Sequence, residues 1–218
     1  MPRKAFDLKL QELHNDILRL GSMVEKQIHQ SIDALVRKDS KLAAIIVSND
    51  DLVDKLDREI EDKCILLIAQ ETPIATDLRI IFTAIKIVTD LERMGDHAVD
   101  IARICIRLKN ENYIKELIDI PLMGELVNKM IKAALDAYVL TDADAAVVAC
   151  NIDDEIDAVY KKTFNELIEL MIKDGSTINQ VSQFLFVCKY LERIADHVTN
   201  ICEWTIYLIK GEYKNMND

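Results

Sequence analysis

The sequence predicts an all-α protein, two tandem three-helix bundles related by a pseudo-twofold axis, six long helices in total. Three observations predict it. Glycine and proline number 5 and 3 in 218 residues, too few turn residues for a β-sandwich or barrel. Apolar residues make up 50% of the chain, ample for a core, and they recur at helical spacing over long stretches. The sequence also repeats itself. Residues 91–102 read LERMGDHAVDIA and 191–202 read LERIADHVTNIC, identical at six of twelve positions, where ordinary composition gives about one match. Upstream the offset becomes 103, pairing Asp33 with Asp136, Asp39 with Asp142, Asp50 with Asp153 and Asp54 with Asp157.

Taken in order, the first helix spans about 6–38, with Leu13, Ile17, Leu20, Val24, Ile28, Ile32 and Leu35 on one face. Asp39-Ser40 is an N-cap signal for the second, which runs to Leu67 with Val53, Leu56, Ile60 and Cys64 inward. Thr72-Pro73 predicts the start of the third, which extends to Leu108. The second copy repeats the order at about 122–140, 142–173 and 176–210. A joint near 110–121 divides the chain into repeats 1–112 and 113–218. Helices of ~30 residues are about 45 Å long, and short links force antiparallel neighbours.

Charge narrows the function. Lys and Arg total 27 against 38 Asp and Glu, a net −11, which argues against nucleic-acid binding. No apolar run reaches the ~18–20 residues of a membrane helix, so no direct membrane insertion is expected. The N-terminus, MPRKAFDLKLQELHND, carries no signal-peptide core. Five scattered cysteines without a C-x-x-C pair suit reduced thiols in a cytoplasm.

The chemistry lies in acidic residues at turn spacing. Glu92, Asp96 and Asp100 stack one turn apart at the edge of the apolar face, and Glu192 and Asp196 repeat the pattern, with Asn200 third. On the middle helix Asp50, Asp54, Asp57 and Glu61 form one stripe, whereas the copy has Asp153 and Asp157 followed by Tyr160 and Phe164. Like charges at i, i+4 destabilise a helix by a few tenths of a kcal/mol per pair. Such stripes are either solvated faces or cation sites, and their occurrence in both copies favours a cation. All-oxygen donors suit Mg²⁺, Mn²⁺ or Fe. His97 and His197 lie ~100° around the helix from the motif Asp and read as solvated or supporting groups. His14 and His29 read as surface residues, and Arg93 and Arg193 as partners of acids across the helix turn. No E-x-x-H, P-loop, G-x-G-x-x-G or G-x-S-x-G is present.

The run PIATDLRIIFTAIKIVTDLERMGDHAVDIA at 73–102, its copy KYLERIADHVTNIC at 189–202, and the acidic middle helices resemble the PhoU family, regulators of bacterial high-affinity phosphate transport. The resemblance covers essentially the whole chain. It implies a cytoplasmic homodimer that is not an enzyme. Such a protein represses phosphate-starvation signalling and limits phosphate uptake, by contact with the transporter's ATPase subunit and the sensor histidine kinase. It also implies iron or zinc on E/D-x-x-x-D motifs. By match these are Asp50 with Asp54 and Glu92 with Asp96, then Asp153 with Asp157 and Glu192 with Asp196. Asp100 extends the first set. A metal-dependent carboxylate enzyme and a purely structural helical adaptor are the alternatives.

Overall fold

The computed structural model describes residues 2–213 and Met216, with side chains from Lys4 onward. Among the described residues there are seven α-helices, one 3-10 turn and no strand. They are α1 (Pro2–Arg37), α2 (Ser40–Ser48), α3 (Asp50–Glu71), α4 (Ala75–Arg107), α5 (Asp119–Leu140), α6 (Ala143–Lys173) and, after the turn at Gly175–Thr177, α7 (Ile178–Lys210). The expected second helix is thus two pieces, α2 and α3. Asn49 ends α2, its N–H bonding to Ile45 O and Ile46 O, and the ladder restarts with Leu52 N–H on Asn49 O. Its counterpart Ile152 is buried in α6, and that apolar anchor keeps the second-copy helix continuous.

The duplication is visible in the links. Lys38 and Thr141 both adopt left-handed backbone, at φ 57° and 53°, and the next residue turns back to close its helix. Asp39 N–H bonds Ala34 O at 2.8 Å, and Asp142 N–H bonds Ala137 O at 3.0 Å. The two aspartates then cap the following helices, Asp39 accepting from Lys41 N and Leu42 N, Asp142 from Asp144 N and Ala145 N. The Thr72-Pro73 signal has a different role from the one expected. Thr72 is the left-handed terminus of α3, at φ 44°, Pro73 follows in the link, and α4 begins at Ala75 behind Ile74, whose N–H bonds Asp77 Oδ2 at 3.2 Å. A Pro shortly after a helix end stops it as well as a Pro can start one.

Helix α4 packs against α1, α3 and α7, while α7 packs against α4, α5 and α6; α1 and α5 also meet. One hydrophobic core therefore runs through both halves, including Ile17 and Leu20 of α1, Leu91 and Ala98 of α4, and Phe184 and Leu191 of α7. Where α1 meets α5 the contact is reciprocal. A Cβ on Gly21 would lie 2.7 Å from Leu135 Cδ1, and one on Gly124 would lie 2.3 Å from Ile32 Cδ1. Gly124 is the 103-offset copy of Gly21, and Leu135 that of Ile32, so each half gives a glycine to the other half's branched side chain. The same exchange appears between α4 and α7. His197 Nδ1 is 2.8 Å from Asp90 Oδ1, and at the 100-offset counterparts the His97 ring stacks on Tyr190 with centroids 5.4 Å apart.

Candidate acidic site

The helical spacing places the acidic stripes at the rim of the core. Asp50, Asp54, Asp57 and Glu61 on α3, and Glu92 and Asp100 on α4, are half-buried, while Asp96 is exposed. Because α3 packs on α4, the two stripes face each other. Glu92 feels Asp96, Asp57 and Asp54; Asp96 feels Asp54 and Asp100; Asp50 feels Asp54 and Asp96. Partial burial first, then this repulsion, pushes the Glu92 carboxyl up to about 7. Burial followed by Glu61 and Asp54 pushes Asp57 up to about 6. Asp50 is raised mainly by burial and partly eased by a 3.3 Å hydrogen bond from Gln27 Nε2.

The second set gathers at the equivalent place. Asp153 and Asp157 of α6 face Glu192 and Asp196 of α7, and burial with repulsion from all three neighbours and Asp154 pushes Asp153 up to about 7. Asp157 and Asp196 are raised too, burial first in each case. Asp153 Oδ1 is buried without a hydrogen-bond partner. Glu192 already has a cation, since Lys189 Nζ bonds its Oε1 at 2.6 Å. Asn200 turns away from the stripe and donates to Asp90 Oδ1 at 3.2 Å.

Crowded carboxylates with raised proton affinity are an electrostatic invitation to a cation, and the donors are all oxygen, as hard and borderline cations require. Among the described residues, however, no three His, Cys, Asp or Glu side chains are already drawn together as a metal site. The donor set fits a cation by charge and chemistry; closure onto an ion requires the side chains to turn inward.

The comparisons with known proteins decide the family. The PhoU domain model matches the chain twice, at residues 17–105 and 120–205. The chain belongs to the PhoU family. A relative from Clostridium acetobutylicum, named phosphate-specific transport system accessory protein PhoU homolog, is 52% identical over 219 residues, covering 100% of both chains. A relative of the same name from Pseudomonas aeruginosa is 36% identical, over 95% of this chain and 86% of its own. The crystal structure of PhoU from P. aeruginosa superposes with a TM-score of 0.91 at 36% identity, over 95% of this chain and 100% of that one. The phosphate transport system regulatory protein PhoU from Streptococcus pneumoniae gives 0.90 at 34%, over 97% and 100%. No helix among the described residues is long and apolar enough to cross a membrane.

Within this PhoU fold several side chains depart from expectation. His97 and His197 are half-buried between α4 and α7, rings 5.8 Å apart, and burial lowers His97 to about 4. His14 is half-buried as well, stacked on Tyr138 at 4.9 Å. Arg93 and Arg193 make no ion pair among the described residues; the acids pair instead with Arg58 (Asp54, 3.7 Å), Arg103 (Asp100, 3.0 Å) and Lys189. Sequence reasoning missed Asp90, which is 6% exposed and joins the two halves through His197 and Asn200. In the sequence Asp90 sits one turn before the core position Met94 and carries no signal of its own; the packing of α7 over that face is what sets it apart.

Proposed function

We propose that this chain is a non-enzymatic regulator of phosphate uptake and a negative regulator of phosphate-starvation signalling. It acts as a cytoplasmic homodimer through contacts with the phosphate transporter's ATPase subunit and the sensor histidine kinase. The observation that carries this reading is the match of the family model to both halves, together with relatives named as accessory proteins of phosphate-specific transport at full-length coverage. The acidic stripes support it as well. They lie on half-exposed helix faces, and such faces offer no water-excluding cleft of the kind that hydrolytic carboxylate chemistry needs.

In this reading Asp50, Asp54, Glu92, Asp96 and Asp100 would hold a cation at the first stripe, and Asp153, Asp157, Glu192 and Asp196 at the second. A bound cation supplies the positive charge that relieves the repulsion among them. Iron or zinc is the family expectation, and Mg or Mn also fits oxygen donors.

The test is a pull-down of purified ATPase subunit and kinase by the full chain, with and without phosphate. Capture of both, altered by phosphate, is the expected result; capture of neither would refute the regulator reading. Metal analysis after chelator-free purification tests the stripes separately, and a metal-free protein would remove them from the mechanism.

A further inference from the structure

At the end of the bundle where α4 begins, helices from both halves line a half-open cavity of about 400 Å³. It lies apart from the stripes, since Arg79 and Glu92, the nearest stripe residue on α4, are 13 residues apart, about 20 Å along the axis. Leu10, Leu13, Ile80 and Leu208 make the wall apolar, and Thr76 and Thr141 also line it. Burial lowers His14, also on the wall, below its ordinary value, so its ring is uncharged at neutral pH. Among the described residues that leaves Arg79 as the one charged side chain lining the cavity. No acidic side chain among the described residues lines the cavity with it.

Arg79 is held in place without being neutralised. One side of its guanidinium lies 5.6 Å from the Tyr207 ring centroid. The guanidinium also lies against Gly211, where a Cβ would come within 2.8 Å of both Nη1 and Nη2. Gly211 is in the left-handed region at φ 75°, so a glycine serves twice there, ending α7 and making room for the guanidinium. Among the described residues Arg79 has neither an ion pair nor a hydrogen-bond acceptor. A planar fork of donors, half-buried, oriented by a ring and a backbone, and lacking an acid, is preorganised for a planar or tetrahedral oxyanion. The wall adds a second requirement. An inorganic anion alone would leave most of an apolar cavity of this size unfilled, whereas sites of this volume with few polar groups suit organic ligands.

We propose that this cavity binds a small organic anion, a carboxylate or phosphate-monoester head on an apolar body, with Arg79 as the partner of the head. The site is independent of the acidic stripes and of any metal. Because α1 and α4 come from one half and α5 and α7 from the other, the ligand bridges the two halves.

The experiment titrates the full chain with phenyl phosphate and with benzoate, using inorganic phosphate and phenol as controls. Thermal unfolding and the fluorescence of Trp204 report binding; Trp204 is the sole tryptophan and contacts Tyr207 edge-on at 5.9 Å. At least one aryl anion is expected to saturate and to bind about tenfold or more tightly than either control, the worth of one charge-assisted contact plus a buried ring. R79Q should weaken that binding about tenfold, with R79K between, while circular dichroism shows unchanged helicity. If R79Q fails to fold, T76F keeps the charge and fills the cavity, and it should abolish binding. The proposal is overturned if neither aryl anion binds at millimolar concentration, if inorganic phosphate or phenol binds as well as the aryl anions, or if a folded R79Q or T76F binds like the parent.

Discussion

Replacing Gly124 with Ala tests whether the two halves are held together by the exchange of glycines between α1 and α5. The added Cβ would meet Ile32 Cδ1 at 2.3 Å, more than 1 Å inside the ~3.5–4.0 Å of ordinary carbon contact. Ile32 is 7% exposed and has little room to retreat. Overpacking of this kind costs about 1–3 kcal/mol, while exchanging a helical glycine for alanine returns about 1 kcal/mol of helix propensity. The net expectation for G124A is a loss of about 1 kcal/mol, a fall of ~2–4 °C in Tm for a chain of this size. Ile32→Val removes the clashing Cδ1 and leaves the nearest atom, Cγ1, at 3.4 Å, although alone it costs about 0.5–1.5 kcal/mol. In that background G124A keeps its helix gain and loses its clash, so the double variant should be more stable than the sum of the singles by about 1–3 kcal/mol. Chemical denaturation of all four proteins, followed by helical circular dichroism, measures the cycle. Additivity within about 0.5 kcal/mol would refute the reasoning, as would a G124A protein more stable than the parent. At Gly21 the equivalent clash is with Leu135 Cδ1 at 2.7 Å, so G21A should cost less.

Three further outcomes follow from the geometry. E92A/D96A should remove more bound metal, read by elemental analysis, than E192A/D196A. The first stripe has seven carboxylates against four, and Lys189 already engages one of the four; equal loss from both variants would show that carboxylate number does not set occupancy. In chelator, E92Q/D153N should be more stable than the parent at pH 8, with the difference shrinking as pH falls through 7. Glu92 and Asp153 are each raised from the ordinary carboxylate range to about 7, so their cost to folding is full above that pH and declines steadily as pH falls from 7 toward the ordinary carboxylate range; a gap that widens toward acid would contradict this sign. D90A should cost about 2–3 kcal/mol in urea unfolding, because it strands His197 and Asn200 in a half-buried interface. A loss below about 0.5 kcal/mol would mean that the two groups find other partners.

Periodicity was enough to read the inward faces of single helices, and so the core residues of α1 and the rim position of the stripes were legible. So was the cap at Asp39, because an N-cap is a local bargain between one side chain and the next two backbone amides. What could not be read depends on which helices meet. Asp90 looks like any acid on a helix until α7 covers it, and His97 looks solvated until His197 and Tyr190 arrive beside it. Arg79 likewise gives no sign in sequence that Gly211, 132 positions away, is the backbone it rests against. The break at Asn49 was hidden for a different reason, since the apolar spacing on either side carries through it. The metal motifs were readable as a charge pattern only; whether their side chains close on an ion depends on rotamers that spacing does not specify.

The pair of positions that faces across α4 and α7 is filled by Asp90 with His197 in one direction and by Tyr190 with His97 in the other. The duplicated halves have therefore diverged in complementary ways. Two copies of the first half, arranged alike, would set an aspartate against a histidine twice, and two copies of the second would stack tyrosine on histidine twice. Neither assembly reproduces the single aspartate–histidine contact, reinforced by Asn200, that this interface contains. A twofold scaffold has become directional, with one half supplying the acid and the other the imidazole and amide that receive it. The asymmetry is internal, since Asp90 is buried: it fixes which half faces which at the seam, so a fold built by repetition no longer has interchangeable halves.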